Sequence, residues 1–191
     1  MRTVSIAGLD GAKANFGIAR MTLNIDTMKL ALNELTLIET EKDASKQVRK
    51  SSDNLRRSKE LHEGIIPAIQ DCTVVFAEVP SGGQSADAVL AFGIVIGLYA
   101  SLPVPLIEVT PSETKMAAVG TKTASKQEMI EWGFENYPDG NWKTTKRGGL
   151  IVPTLKNEHL ADAVAIVHAG IKTKQFQQTI AMMRSALTLA A

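Results

Sequence analysis

The chain has 191 residues, 45% hydrophobic and 21% charged, which suits one globular domain with a sizeable core. Its 21 basic residues nearly balance 20 acidic ones, so bulk charge does not announce a nucleic-acid partner and any such surface must be local. No apolar run approaches the roughly 18 residues that a membrane span needs, because the longest candidate, residues 86–106, is broken by Asp87, Gly93, Gly97, Pro103 and Pro105.

Residues 3–9 alternate and are rich in β-formers, which predicts a first strand ending at Asp10-Gly11. The N-terminus runs directly into this pattern, so no signal or transit peptide is expected. Residues 14–23 and 30–38 predict two further strands joined by a turn at 26–29, and such short connections imply an antiparallel meander. From 44 to 70 the pattern turns helical, with Val48, Leu55, Leu61, Ile65, Ile66 and Ile69 recurring among charges; Pro67 is expected to bend or end that helix.

Residues 73–77, TVVFA, form the short continuous apolar run of a central strand covered on both faces, with Glu78 at its C-terminal end. Cys72, just before it, is expected to be a buried thiol. As the single cysteine it excludes an intramolecular disulfide and fits a reducing, cytoplasmic compartment. A loop at 81–84 leads into an apolar helix at 85–100, a strand at 105–109, and short helices at 111–119 and 125–137. Residues 137–153 are rich in Gly, Pro, Asn, Lys and Thr and predict irregular structure. Helices at 157–171 and 172–189 follow, the second amphipathic. Three consecutive strands and then alternating helices and strands predict an α/β, ribonuclease-H-like fold. Its mixed sheet would have five strands, three antiparallel extended by two parallel, flanked by helices within one domain spanning 1–191.

Three acids stand out. Asp10 lies in GLDGAKANFG, where a strand end holds a carboxylate on rigid backbone yet open to a ligand; Asp-Gly is equally a common turn pair. No phosphate-loop pattern accompanies it. Glu78 caps a buried strand, a costly position for an acid unless it is paired, protonated, metal-bound or solvated. In the proposed sheet the two strands are neighbours, so both carboxylates emerge at one edge. Asp162 lies in EHLADAVAIVHAG among small and branched apolar residues, with His159 and Glu158 three and four residues earlier on the same helical face. Such oxygen and imidazole ligands suit one or two Mg²⁺ or Mn²⁺ ions, which together can activate a water and stabilise a leaving oxygen in phosphodiester cleavage. Zinc suits them less, since cysteine ligands are absent and the histidines are scattered.

Four segments together resemble the RuvC-type Holliday-junction resolvase family over nearly the whole chain: IAGLDGAKANFGIA, VVFAEVPSGGQSADAVLAFGIVIGL, VTPSETKMAAVGTKTASKQEM and HLADAVAIVHA. The resemblance implies a metal-dependent endonuclease that hydrolyses Holliday junctions or other branched DNA as a homodimer with two symmetry-related sites. It maps Asp10, Glu78 and Asp162 onto the family's carboxylate ligands and His159 onto the remaining ligand, one turn before the last aspartate, with Glu158 as the competing candidate. It also maps Lys115 and Lys126 onto lysines that hold DNA and support catalysis. The family's aromatic wedge after the glutamate is replaced here by Ser81-Gly82-Gly83. The stretch between Lys126 and His159 is longer than in compact bacterial members, which fits a phage or mobile-element version.

Cations available for DNA are Lys46, Arg49, Lys50, Arg56, Arg57 and Lys59, and then Lys143, Lys146 and Arg147 beside Trp142. A charge run such as 46–59 is equally an ordinary solvated face, whereas 143–147 adjoins the proposed metal helix. The dimer contact is expected at 85–100 and 44–70. The alternatives are a nuclease of the same fold with another substrate, such as RNA–DNA hybrid, or a catalytically silent DNA-binding or regulatory protein on the same scaffold.

Overall fold

A computed structural model describes residues 2–45 and 47–189, the last three by backbone alone. Lys46, one of the candidate cations, lies outside the described residues. Strands β1 (Thr3–Gly11), β2 (Asn15–Asn24) and β3 (Leu30–Glu39) form the expected antiparallel meander. β4 (Val74–Glu78) and β5 (Leu106–Val109) extend it in parallel, giving the order β3-β2-β1-β4-β5. The helices are α1 (Lys50–Ile69), α2 (Ala86–Ala100), α3 (Pro111–Ala118), α4 (Lys126–Asn136), α5 (Glu158–Gly170) and α6 (Lys174–Leu189).

The central strands bury side chains on both faces because each face carries its own helical layer. Ile6, Ala19, Met21 and Phe76 meet Leu160, Ala163, Val164 and Val167 of α5, with Phe176 and Ile180 of α6 behind them. On the opposite face Ala7, Leu9, Ile18 and Val75 meet Leu61, Ile65 and Ile69 of α1 and Val95, Leu98 and Tyr99 of α2. Adjacent residues of one strand thus enter different cores, which is the period of two in physical form.

Helix α5 lies directly on the sheet backbone. A Cβ on Gly8 would stand 2.0 Å from the Ala163 carbonyl oxygen, and one on Gly17 would stand 2.1 Å from that of His159. Only glycine permits this approach, and the alanines of α5 complete it from the helix side.

The structure corrects the sequence expectations in four places. Helix α1 begins at Lys50, not near residue 44, and both Val48 and Leu55 are exposed. Its N-terminal half buries Asp53, Asn54 and Arg57 instead, a polar stripe that apolar periodicity cannot reveal. Pro67 does not end α1, which runs two residues further to Ile69; it sits in the last turn, where it removes a single helical hydrogen bond. The region expected to be irregular contains a hairpin of β6 (Thr144–Arg147) and β7 (Leu150–Pro153). Gly148 and Gly149 both take positive φ, +59° and +83°, which makes the two-residue turn possible. Trp142, named beside the cations as part of a candidate DNA segment, is buried; its Nε1–H donates to the Tyr137 carbonyl at 2.7 Å.

The outer edge of β3 is closed by a side chain. Asn141 Oδ1 accepts from the Leu35 N–H at 2.9 Å, while its Nδ2 donates to the Leu35 carbonyl at 2.7 Å. The ladder also slips between Arg20 and Met21, so the pairing register skips Asn33, whose Oδ1 accepts from the Thr22 hydroxyl at 2.8 Å.

The helix–sheet contact yields a stability test. Gly8→Ala should destabilise by about 1–3 kcal/mol, the usual range for forcing extra volume into a packed site, or several degrees in melting temperature. Gln178→Ala, on the exposed face of α6 and away from the site, is the control, and its stability should hold or rise slightly. Equal melting temperatures for the two variants would remove the close-approach argument.

Candidate active site

The acids converge because of strand register. Asp10 pairs with Gly17 of β2, and Leu9 pairs with Ala77 of β4, so Asp10 and Glu78 leave adjacent parallel strands at the same level. Glu78 pairs in turn with Val109, after which Thr110 caps α3. Helix α5 crosses above this edge with His159 in its first turn and Asp162 one turn later, near the helix end where negative charge is favoured.

His159 Nδ1 lies 2.5 Å from Asp10 Oδ2. A carboxylate only accepts, so the imidazole donates from Nδ1. That hydrogen bond, more than any other influence, holds the His159 pKa above its ordinary value, against the opposing effect of burial. Burial pushes the Glu78 carboxyl up, moderated by the Thr114 hydroxyl and the charge of Lys115. Asp162 is pushed up to about 7, first by burial and then by Asp10, Glu78 and Glu158, with His159 opposing. Charge proximity therefore joins Asp10, Glu78, His159 and Asp162 in one half-buried cluster.

In this conformation, no three His, Cys, Asp or Glu side chains among the described residues close into a ligand cage. Asp10 and His159 are locked to each other, and Glu158 points to Lys126, whose Nζ is 2.6 Å from its Oε1. The chemistry of the donor set nevertheless fits a hard divalent cation: three carboxylates and an imidazole, with Asp162 pushed up to about 7 by burial and then by its acidic neighbours. Lys126 sits at the rim of the cluster and Lys115 beside Glu78.

The other cations divide. Lys143 pairs with Glu39 at 3.0 Å, whereas Lys146 and Arg147 project on the hairpin with no ion pair among the described residues. On α1, Arg57 is buried and donates to Thr40 and to the Lys13 carbonyl, Arg56 pairs with Asp53 and Glu60, and Lys50 pairs with Asp87. These three serve the fold or a solvated face.

Sequence reading missed three contributors. Thr114, almost wholly buried, approaches Glu78 from α3. The Tyr99 hydroxyl donates to the Leu9 carbonyl at 3.3 Å, just behind Asp10. Asn157 has no exposed surface and binds the Lys143 N–H and carbonyl and the Thr154 carbonyl, tying the hairpin root to the start of α5. Asn157 was the most findable of these, as a cap-type residue directly before the acidic start of a helix.

No protein-family model matches the chain, and no curated protein does. Among solved structures it is similar to Thermus thermophilus RuvC in complex with a Holliday junction substrate, at 17% identity and a TM-score of 0.59, over 87% of this chain and 92% of that one. A second T. thermophilus RuvC structure gives 19% identity and a TM-score of 0.56, over 86% and 92%. The fold is therefore ribonuclease-H-like in the arrangement that RuvC has, as the sequence predicted.

Asp162 gives the site a pH signature. Its folded pKa of about 7 stands above the ordinary value of 3.8, so the folded state binds a proton that the unfolded chain releases. That contribution to stability is complete below about pH 4 and is lost as pH rises to about 7; His159, also raised, acts in the same direction. Unfolding in a chelator should show Asp162→Asn gaining on wild type between pH 5 and pH 8. Added Mg²⁺ or Mn²⁺ should narrow the gap by stabilising wild type alone. A gap that does not change with pH would mean that Asp162 is not buried among like charges.

Proposed function

We propose that this chain is a divalent-metal-dependent endonuclease that cuts four-way or otherwise branched DNA as a homodimer. The observation that carries this reading is the half-buried cluster of Asp10, Glu78 and Asp162, brought by three separate elements to one edge of a ribonuclease-H-like sheet. The similarity to RuvC held with a Holliday junction supports the choice of substrate.

Asp10, Glu78, His159 and Asp162 are the residues that would hold Mg²⁺ or Mn²⁺. The ion, when bound, supplies Lewis acidity at a phosphate oxygen and lowers the pKa of a water. With Nδ1–H directed at Asp10, His159 has Nε2 as its lone pair, and Asp10 in turn fixes the ring. Lys126, neutralised by Glu158 at the rim, is released toward a phosphate when DNA competes for it, and Lys115 adds positive charge beside Glu78. No helix among the described residues is long and apolar enough to cross a membrane.

The dimer reading rests on α2. Val95, Leu98 and Tyr99 bury one side of this helix, while Val89, Leu90, Gly93, Ile96, Gly97 and Ala100 expose an apolar strip on the other. Gly93 and Gly97 are one turn apart, with nothing within 4 Å of an added Cβ, so a second helix can approach closely. A pair of such strips places two active sites in one particle, as the nicking of paired strands requires.

Labelled four-way, flap, linear-duplex and RNA–DNA hybrid substrates, each with and without Mg²⁺, test the activity. Cleavage of branched DNA with metal is the expected outcome; binding without cleavage in any metal would favour a silent scaffold instead. Asp10→Asn, Glu78→Gln and Asp162→Asn should each abolish cleavage and leave junction binding measurable, because binding draws mostly on phosphate contacts by cations. His159→Ala should lose most activity and Glu158→Gln little; the reverse ranking would transfer the ligand role to Glu158. Val89→Asp with Ile96→Asp should convert a dimer to a monomer by light scattering, and a monomeric wild type would end the dimer reading.

A further inference from the structure

The β6–β7 hairpin, whose root borders a cavity against α4, exposes its tip residues on both faces, a feature that neither the metal site nor the dimer strip uses. Its register sets Arg147 opposite Leu150 and Lys146 opposite Ile151. Directly opposed residues share a face, and successive residues alternate. Each face therefore presents one cation and one branched apolar side chain side by side. Leu150 is 70% exposed and Ile151 62%, and neither cation has an ion pair among the described residues. A hairpin docking on a flat partner would confine its apolar residues to one face. Two faces of the same mixed character suit insertion into a cleft whose walls are both apolar and anionic.

The hairpin is also well anchored. Asn157, wholly buried, grips the Lys143 and Thr154 backbones at the hairpin root, and Thr154 N–H donates to the Lys143 carbonyl at 2.9 Å. Asn157 stands two residues before His159. Four residues per strand then carry the Gly148-Gly149 tip roughly 13 Å from that root, at about 3.4 Å per residue.

We infer that this hairpin is a wedge that enters the branch point of DNA, with Leu150 and Ile151 against unstacked bases and Lys146 and Arg147 on the flanking phosphates. Charge complementarity selects nucleic acid, and apolar side chains inserted between base steps are an established means of opening a stack. The inference rests on the branched-DNA reading and names the element that recognises the branch.

The test uses full-length protein carrying Asp10→Asn to prevent cutting, with a four-way junction bearing 2-aminopurine at the branch. Binding should raise the fluorescence as the base unstacks. Adding Leu150→Ser and Ile151→Ser should remove most of that rise, and the same pair in the wild-type background should slow junction cleavage about five-fold or more. Affinity for linear duplex and melting temperature should stay unchanged, since both side chains are solvent-facing. Lys146→Ala with Arg147→Ala should instead weaken junction and duplex alike and reduce the salt dependence, by roughly 0.9 in log–log slope per lost contact. A wild-type protein that prefers junctions, paired with a serine variant of unchanged fluorescence and rate, overturns the wedge alone. A wild-type protein with no preference for branched over linear DNA overturns the branched-DNA reading and the wedge with it.

Discussion

The close seating of α5 on bare strand backbone is the constraint from which the rest of the site follows. His159 and Asp162 belong to a helix, Asp10 and Glu78 to strands, and their separation is set by how near the helix axis can come to the sheet. Gly8 and Gly17 remove the side chains that would hold it off, and their would-be Cβ atoms collide with the helix's own carbonyls, not with movable side-chain ends. One of those carbonyls belongs to His159 itself. Packing and chemistry therefore share one contact.

That closeness has an electrostatic consequence. Partial burial places several acids where water only weakly screens their charges, and the fold answers in two ways. One proton sits between Asp10 and His159, and another is retained by Asp162 up to about pH 7. Lys126 and Lys115 soften the field from outside without entering it. Such a cluster is destabilising in isolation, and functional sites are where a protein retains that kind of tension. A divalent cation bound there, as proposed, would exchange it for coordination and link the proposed activity to the protein's stability through the same four side chains.

The parts of the molecule legible in its sequence are those where local pattern and tertiary environment agree. The alternation of β1, the unbroken TVVFA of β4 and the apolar length of α5 each describe a burial that the chain achieves where the pattern says it should. Asp10, Glu78 and Asp162 could be chosen because an acid at the end or in the middle of an apolar segment needs a reason. The failures share a cause as well. Val48 and Leu55 have helical spacing, yet nothing packs above them, while Asp53, Asn54 and Arg57 are buried by hydrogen bonds that only the folded chain supplies. The hairpin escaped because both its faces are wet, so its strands show no alternation; Gly148-Gly149 was the surviving signal. Thr114 and Asn157 are single polar residues whose burial depends on elements far away in sequence, and no local pattern announces that.

The side chain of Asn141 bears on how copies of this protein can meet. A β-sheet ends in a row of free donors and acceptors, and such a row invites another chain to continue it. At β3 the Asn141 amide takes the place of the next strand, filling the donor and the acceptor of Leu35 together, and the slip at Asn33 disturbs the spacing that a newcomer would have to match. The opposite edge, β5, is only four residues long and follows directly on Pro105. Lateral growth of the sheet into fibrils is thus obstructed at both margins, and an encounter between two copies is diverted away from backbone zippering toward contacts between side chains.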